Sequence, residues 1–332
     1  MLLPQPRGPV SAALTGALLR TPGPLSVPPL DAVPDAVHDE DLQLALWICY
    51  ELHYRGFDDV DDSWEWEPSL LAARAALERV WIAHLREIGP AQRVEPDGVA
   101  GALARLVDED DGPSLAGYLQ RTATREQFRE FVALRSVYHL KEADPHSWAI
   151  PRLEGATKAA LVEIQNDEYG GGRADRMHSE LFRSTMRALD LDDTYGHYVD
   201  RAPAVTLAVT NVISLFGLHR RFSGALVGHL AAFEMTSSLP NRRYGNGLRR
   251  LGGDAVATRF YDEHVEADAV HEQVAAHDLC GGYAIQHPEA ASEVLFGAAC
   301  CLAVEAEFGR HLLDSWQRRG SALRGDDLAH VA

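Results

Sequence analysis

His264, Asp268 and His271 stand at i, i+4 and i+7 in the run YDEHVEADAVHEQ, residues 261–273. At roughly 100° per residue, Asp268 lies about 40° to one side of His264 and His271 about 20° to the other. A helix through this run presents all three from one face, within about 10 Å of axis. Two imidazoles and a carboxylate on one face suit iron, manganese or zinc. Glu263, Glu266 and Glu272 crowd the same run, so a solvated charged face is the competing reading.

A second run, EIQNDEYGGGRADRMHSELF (residues 163–182), offers Glu168 and His178. On one straight helix, ten residues would separate them by about 15 Å and some 80°. They can serve one centre only where the backbone breaks or rewinds between them. Gly170, Gly171 and Gly172 lie between them, and glycine distorts at the least steric cost. The bland alternative is a glycine turn between two ordinary helices. A phosphate-cradling loop fits poorly, because no GK[ST] follows and no strand precedes.

Two carboxylates stand apart from these runs. Glu142 lies within HLKEADPH, and Glu234 sits in GHLAAFEMTSS, an otherwise apolar stretch. A buried carboxylate needs a partner, which a metal or an arginine would supply. Helix bundles build two-metal centres by projecting Glu and His from several helices inward. Glu142, Glu168, His178, Glu234, His264, Asp268 and His271 would give three imidazoles and four carboxylates from at least four segments. That is enough for two metal ions with open positions.

Everything that must position these residues reads as helix. The spacing of Leu42, Leu46, Cys49 and Leu52 gives one apolar face from about Asp39. Pro68 starts a helix that ends at Gly89-Pro90, and shorter pieces fill 96–121. Thr124 caps a helix predicted to end at Asp144-Pro145. Further helices are predicted over 151–168, 173–189, 203–218, 220–237, 254–277 and 288–318. No stretch has the two-residue alternation of a sheet protein. GFDDVDDSWEWEP reads as an acidic, aromatic loop. Eight of the 17 prolines fall in the first 34 residues, so residues 1–37 read as an extended lead wrapping the body. The organisation expected is an extension over 1–37, a helical elaboration over 38–121 and a bundle over 122–332.

Composition narrows the partners. The 332 residues carry a net charge of −18, which repels phosphate backbones and anionic membranes. Neither nucleic acid nor membrane is expected as a partner. The apolar run Val205 to Leu218 is too short to span a bilayer of the usual ~18 residues. The four cysteines form no CxxC, which suits a reducing compartment and a cytoplasmic location. Lysine occurs only at Lys141 and Lys158.

At the Glu168-Tyr-Gly-Gly-Gly…His178 segment, the isolated Glu234 and His264-x-x-x-Asp268-x-x-His271, the chain resembles the haem-oxygenase-like di-iron oxidases, or iron-containing redox enzymes. The resemblance covers roughly residues 120–320, and Glu142 falls where some members have a further carboxylate. It implies an all-α, haem-oxygenase-like bundle without haem, two Fe(II)/Fe(III) ions as cofactor and dioxygen as co-substrate. Relatives include amine N-oxygenases, a fatty-acid decarboxylase that makes terminal alkenes, and an amino-acid-cleaving lyase. The full three-His, four-carboxylate set looks more like the N-oxygenating branch. N-oxygenation of an amine or amino acid is therefore the expected activity, with a small-molecule substrate and an external reductant, and a homodimer is allowed. Desaturation or C–C cleavage of a fatty or amino acid is the alternative outcome. A thiaminase-like enzyme with Cys280 as nucleophile, and a non-catalytic metal sensor, are the alternative classes. Asp175, Glu180 and Asp262 are candidate orienting partners for the imidazoles, with Tyr169 and Tyr261 packing beside the ligands. Arg220, Arg221, Arg242 and Arg243 are candidates for a substrate carboxylate, since arginine offers a bidentate fork.

Overall fold

A computed structural model describes residues 1–29, 33–90 and 92–325, with residues 266–269 described in backbone only. All regular structure among these residues is helical. Helix α1 (Pro9–Leu18) is followed by α2 (Glu40–Glu51), α3 (Pro68–Ile88), α4 (Val99–Asp108) and α5 (Leu115–Arg121). Then come α6 (Arg125–His139), α7 (Asp144–Ser147), α8 (Gly155–Glu168), α9 (His178–Ala188) and α10 (Ala204–Leu218). The chain closes with α11 (Ser223–Arg250), α12 (Ala255–Gln273), α13 (Gly282–Gln286) and α14 (Ala291–Gln317).

Residues 9–18 are helix, not extended lead. Pro9 occupies the first turn, where its missing N–H costs nothing. The cap comes from α2: Asp41 accepts from the amides of Val10 at 2.8 Å and Ser11 at 2.7 Å. Val10, Leu14 and Leu18 are buried on one face. A single apolar core then runs from Val10 to Leu323, through every helix from α1 to α14 except the short α7. The expected loop after α2 holds a 3-10 turn, Asp62–Trp66, whose Trp64 is buried and donates to the Arg20 carbonyl at 3.0 Å.

Helix α10 is the apolar run seen in the sequence, and almost all of it is buried. Several of its polar groups are paired inside: Asn211 donates to the Gln43 carbonyl and side chain at 2.8 and 2.7 Å, Thr210 donates to the Leu207 carbonyl, and Ser214 meets the Tyr54 hydroxyl. No helix among the described residues is long and apolar enough to cross a membrane. Helices α11 and α14 cross beside it at two glycines. A Cβ at Gly228 would strike the Val294 carbonyl, and one at Gly297 the Ala225 carbonyl.

Two predicted boundaries move for physical reasons. Helix α6 keeps its Thr124 cap, with Gln127 answering reciprocally, but ends at His139. A turn over 140–143 follows, with Ala143 at φ 74°, and Pro145 opens α7. Proline cannot continue a helix and disfavours helical backbone before it. Helix α11 instead runs past residue 237 to Arg250 with Pro240 inside it. Pro240 gives up one backbone bond, and the Asn241 side chain donates back to the Ser237 carbonyl at 3.1 Å.

Candidate metal centre

The bundle brings six of the seven predicted side chains together; the seventh, Asp268, has its side chain outside the described residues. Glu142 comes from the turn after α6, Glu168 is the last residue of α8 and His178 the first of α9. Glu234 comes from the middle of α11, and His264 and His271 from α12. The triple glycine breaks the chain rather than rewinding a helix. Gly170, Gly171 and Gly172 all take positive φ, 65°, 61° and 78°, the region that glycine enters without steric cost. The break redirects the chain so that α9 packs on α12 and α6 and its first residue returns to the end of α8, with His178 Nδ1 2.9 Å from Glu168 Oε2.

Two groups emerge. Ligand atoms of Glu142, Glu168, His178 and His264 lie within 4.8 Å of one another, as do those of Glu168, Glu234 and His271. Glu168 belongs to both, so its carboxylate stands between two positions.

The donor set fits metal ions. His264 Nδ1 donates to the Phe260 carbonyl at 2.8 Å, which leaves the lone pair on Nε2, 3.8 Å from Glu142 Oε1. His271 Nε2 faces Asp167 at 3.0 Å and its Nδ1 faces Glu234 at 3.4 Å. A metal-binding imidazole commonly has its second nitrogen tied in this way. Glu168 Oε2, His178 Nδ1 and Glu142 Oε2 are buried without an aligned hydrogen bond among the described residues, a costly state that a cation relieves. Glu168 also ends a helix, where the dipole favours positive charge.

Protonation follows the same geometry. Burial opposes ionisation of Glu142, yet His139 and His264 hold it well below the usual carboxylate range. Burial likewise opposes charge on Glu168, and His178 beside it outweighs this. Burial pulls His271 down, but Glu234 and Asp167 push it up to about 9. Protons on the imidazoles thus stand where a cation would balance the carboxylates.

A cavity of about 290 Å³ opens onto the cluster, with Glu142, Glu168, Glu234 and His264 in its wall. Phe131, Tyr138, Phe233 and Tyr244 supply its apolar lining, and Asp110, Arg135, Arg243 and Glu305 its other charges. Arg135 is engaged by Glu305 at 2.8 and 2.5 Å. Of the four arginines proposed for a substrate carboxylate, Arg243 alone lines this cavity; Arg220, Arg221 and Arg242 are exposed elsewhere. Pro240, Asn241, Thr236 and Ser237 also face it, which places the interrupted turn of α11 in the wall.

The expected orienting residues are replaced. Asp175 pairs with Arg173, Glu180 with Arg183, and Asp262 with Arg249 and Thr258. Arginines close by in the fold claim these acids. The imidazoles are held instead by Asp167 and the Phe260 carbonyl. Tyr261 is a buried packing residue, and Tyr169 donates to Asp144 at 2.8 Å. Sequence reasoning missed Asp167, His146 and His139. The last sits 2.8 Å from Glu142 Oε1, and its i−3 spacing from Glu142 was the available sign. Buried His146 lines the cavity and is pulled down to about 4 by burial, so it stays neutral near pH 7. Cys280 is buried, donates to the Val227 carbonyl at 3.3 Å, and has its thiol pushed up by burial. A group so protonated is a poor nucleophile, and it lies outside the cavity wall.

The sequence pattern of the iron-containing redox enzymes matches residues 129–306, a stretch that contains every member of both groups. The chain belongs to the iron-containing redox enzyme family. A nitrosourea synthase from Streptomyces achromogenes subsp. streptozoticus is 29% identical over 138 residues. That alignment covers 41% of this chain and 29% of the synthase, so the chain spans less than a third of that relative's length.

Proposed function

We propose that this protein is a di-iron, dioxygen-activating oxygenase that transfers oxygen to the nitrogen of a small amine or amino acid. The observation that carries this is the pair of ligand groups sharing Glu168 at the end of a cavity. Glu142, His178 and His264 would hold one ion, Glu234 and His271 the other, and Glu168 both, with Asp268 as a further ligand. Bound there, two iron ions would supply a site for dioxygen and one electron each.

The residues do the rest. Phe260 and Asp167 fix the two α12 imidazoles so that each turns its lone pair inward. Phe131, Phe233 and Tyr244 restrict water around the reacting atoms. Oxygen transfer to an amine puts one oxygen atom of O2 in the product and the other in water. It takes up two protons and two electrons, so an external reductant must restore the ferrous state. The relative named for making a nitrosourea supports nitrogen as the reacting atom. A reducing, cytoplasmic setting fits the four free, buried cysteines.

Arg243 makes no ion pair with a described residue and lines the cavity. In this reading it takes the substrate carboxylate. Arg243→Ala is expected to raise KM for a carboxylate-bearing amine roughly 10- to 100-fold, the worth of a charge-assisted hydrogen bond. KM for the matching carboxyl-free amine should stay within about two-fold. The reaction itself is tested by product mass after loading with Fe(II), reductant and oxygen. One oxygen gained on nitrogen is expected; an alkene or loss of a one-carbon unit would assign the protein to desaturation or cleavage.

A further inference from the structure

Lys141 is one of two lysines in a chain whose other 29 basic residues, of 31, are arginine. It is also among the most deeply buried large side chains. Its Nζ donates to Glu51 Oε2 at 3.0 Å, with the two side chains 1% and 0% exposed. The Tyr195 hydroxyl donates to both Glu51 oxygens at 2.8 Å. Tyr54 and Trp47 wall the ammonium, their ring centroids 4.0 and 5.8 Å away. A buried charge pair of this kind is a weak device for stability and a strong one for fixing geometry.

What it fixes is the turn that carries Glu142. Lys141 immediately precedes Glu142, and Ala143 immediately follows with φ 74°. Each step of the turn is tied down. Arg55 donates to the Leu140 carbonyl at 3.1 Å, Glu51 holds Lys141, Gln165 donates to the Ala143 carbonyl at 2.8 Å, and Tyr169 donates to Asp144 at 2.8 Å. A positive φ at a non-glycine residue persists only where surroundings over-determine it. Glu51, Tyr54 and Arg55 lie far before residue 129, where the family match begins.

We propose that Glu51 and Lys141 form a positioning pair through which the N-terminal helices aim the Glu142 carboxylate at the metal cluster. Lys141 meets Glu51, Tyr54 and Trp47, whereas Glu142 meets His139 and His264, so the pair acts on the turn through contacts separate from the ligand cluster. Residues 38–55 thereby become part of the scaffold of the centre. The proposal rests on the metal reading given above.

The test is anaerobic titration of the full chain with Co(II), followed by visible absorption. The variants are Glu51→Gln, Tyr195→Phe and the double Glu51→Gln/Lys141→Met, with Glu142→Gln as reference. The double variant removes both buried charges, which a fold tolerates better than removing one. Tyr195→Phe keeps the pair and loosens it. Wild type is expected to take two equivalents. The double variant should reproduce the Glu142→Gln titration, with one equivalent weakened about 10- to 100-fold, as for other residues that orient ligands. The other equivalent should change less than about two-fold, and Tyr195→Phe should lie between. Two equivalents bound as in wild type by every folded variant, whatever its melting temperature, overturn the proposal. A wild type that takes up no cobalt overturns the metal reading itself.

Discussion

Glu168→Ala is expected to remove both metal ions together, leaving well under half an equivalent per chain after iron loading and desalting. Glu142→Ala should leave about one. The difference follows from membership: Glu168 alone stands in both ligand groups, whereas Glu142 stands in one. Activity should fall by at least about 10³-fold, since each 1.36 kcal/mol is a decade and a lost metal removes several. The fold should survive, because Glu168 makes no aligned hydrogen bond through Oε2 and its charge is opposed by the end of α8. Retention of one tightly held iron in Glu168→Ala, measured by elemental analysis with helix content intact, would separate the two groups and break the shared-carboxylate geometry.

Gly170→Ala is expected to be the most disruptive of the three glycine substitutions in the segment that delivers His178. A Cβ there would lie 2.6 Å from the carbonyl carbon of Arg176 and 2.6 Å from the amide nitrogen of Met177. Both are backbone atoms, so relief requires moving the segment that delivers His178. The residue also takes φ 65°, which costs a non-glycine side chain about 1–2 kcal/mol. Overpacking adds about 1–3 kcal/mol. Gly171→Ala is the control, with similar φ and no atom within 4 Å of the added methyl; it should cost only the backbone term. The expected outcome is a clearly lowered melting temperature and loss of iron from the His178 side in Gly170→Ala, and a small shift with full iron in Gly171→Ala. Equal behaviour of the two would mean that the break does not position His178.

The same contrast marks what the sequence could tell. The α12 face needed only helical spacing, because His264 and His271 sit on one continuous element. Glu168 and His178 could be named as residue types, but their meeting depends on three consecutive positive φ values, and glycine permits rewinding as well as breaking. Glu142 carried no periodic signal at all, since it sits in a turn whose shape is set by Glu51, Gln165 and Tyr169. The N-terminal helix was hidden because its cap, Asp41, lies thirty residues downstream. The orienting acids were misassigned because proximity in sequence favoured Asp262 and Glu180, while in the fold nearby arginines had claimed them. Asp167 was passed over beside the more conspicuous Glu168, although neighbours on a helix point some 100° apart and so serve different partners.

Oxygen uptake as a function of added Fe(II) tests the central claim most directly. Protein is titrated anaerobically with ferrous iron, mixed with oxygenated buffer containing reductant and a carboxylate-bearing amine, and oxygen consumption is followed. Uptake above the protein-free iron background, rising to a break at about two iron equivalents per chain and absent in Glu168→Ala, is the predicted result. A break at one equivalent, or uptake no greater than free iron alone, would contradict a two-iron, dioxygen-activating centre.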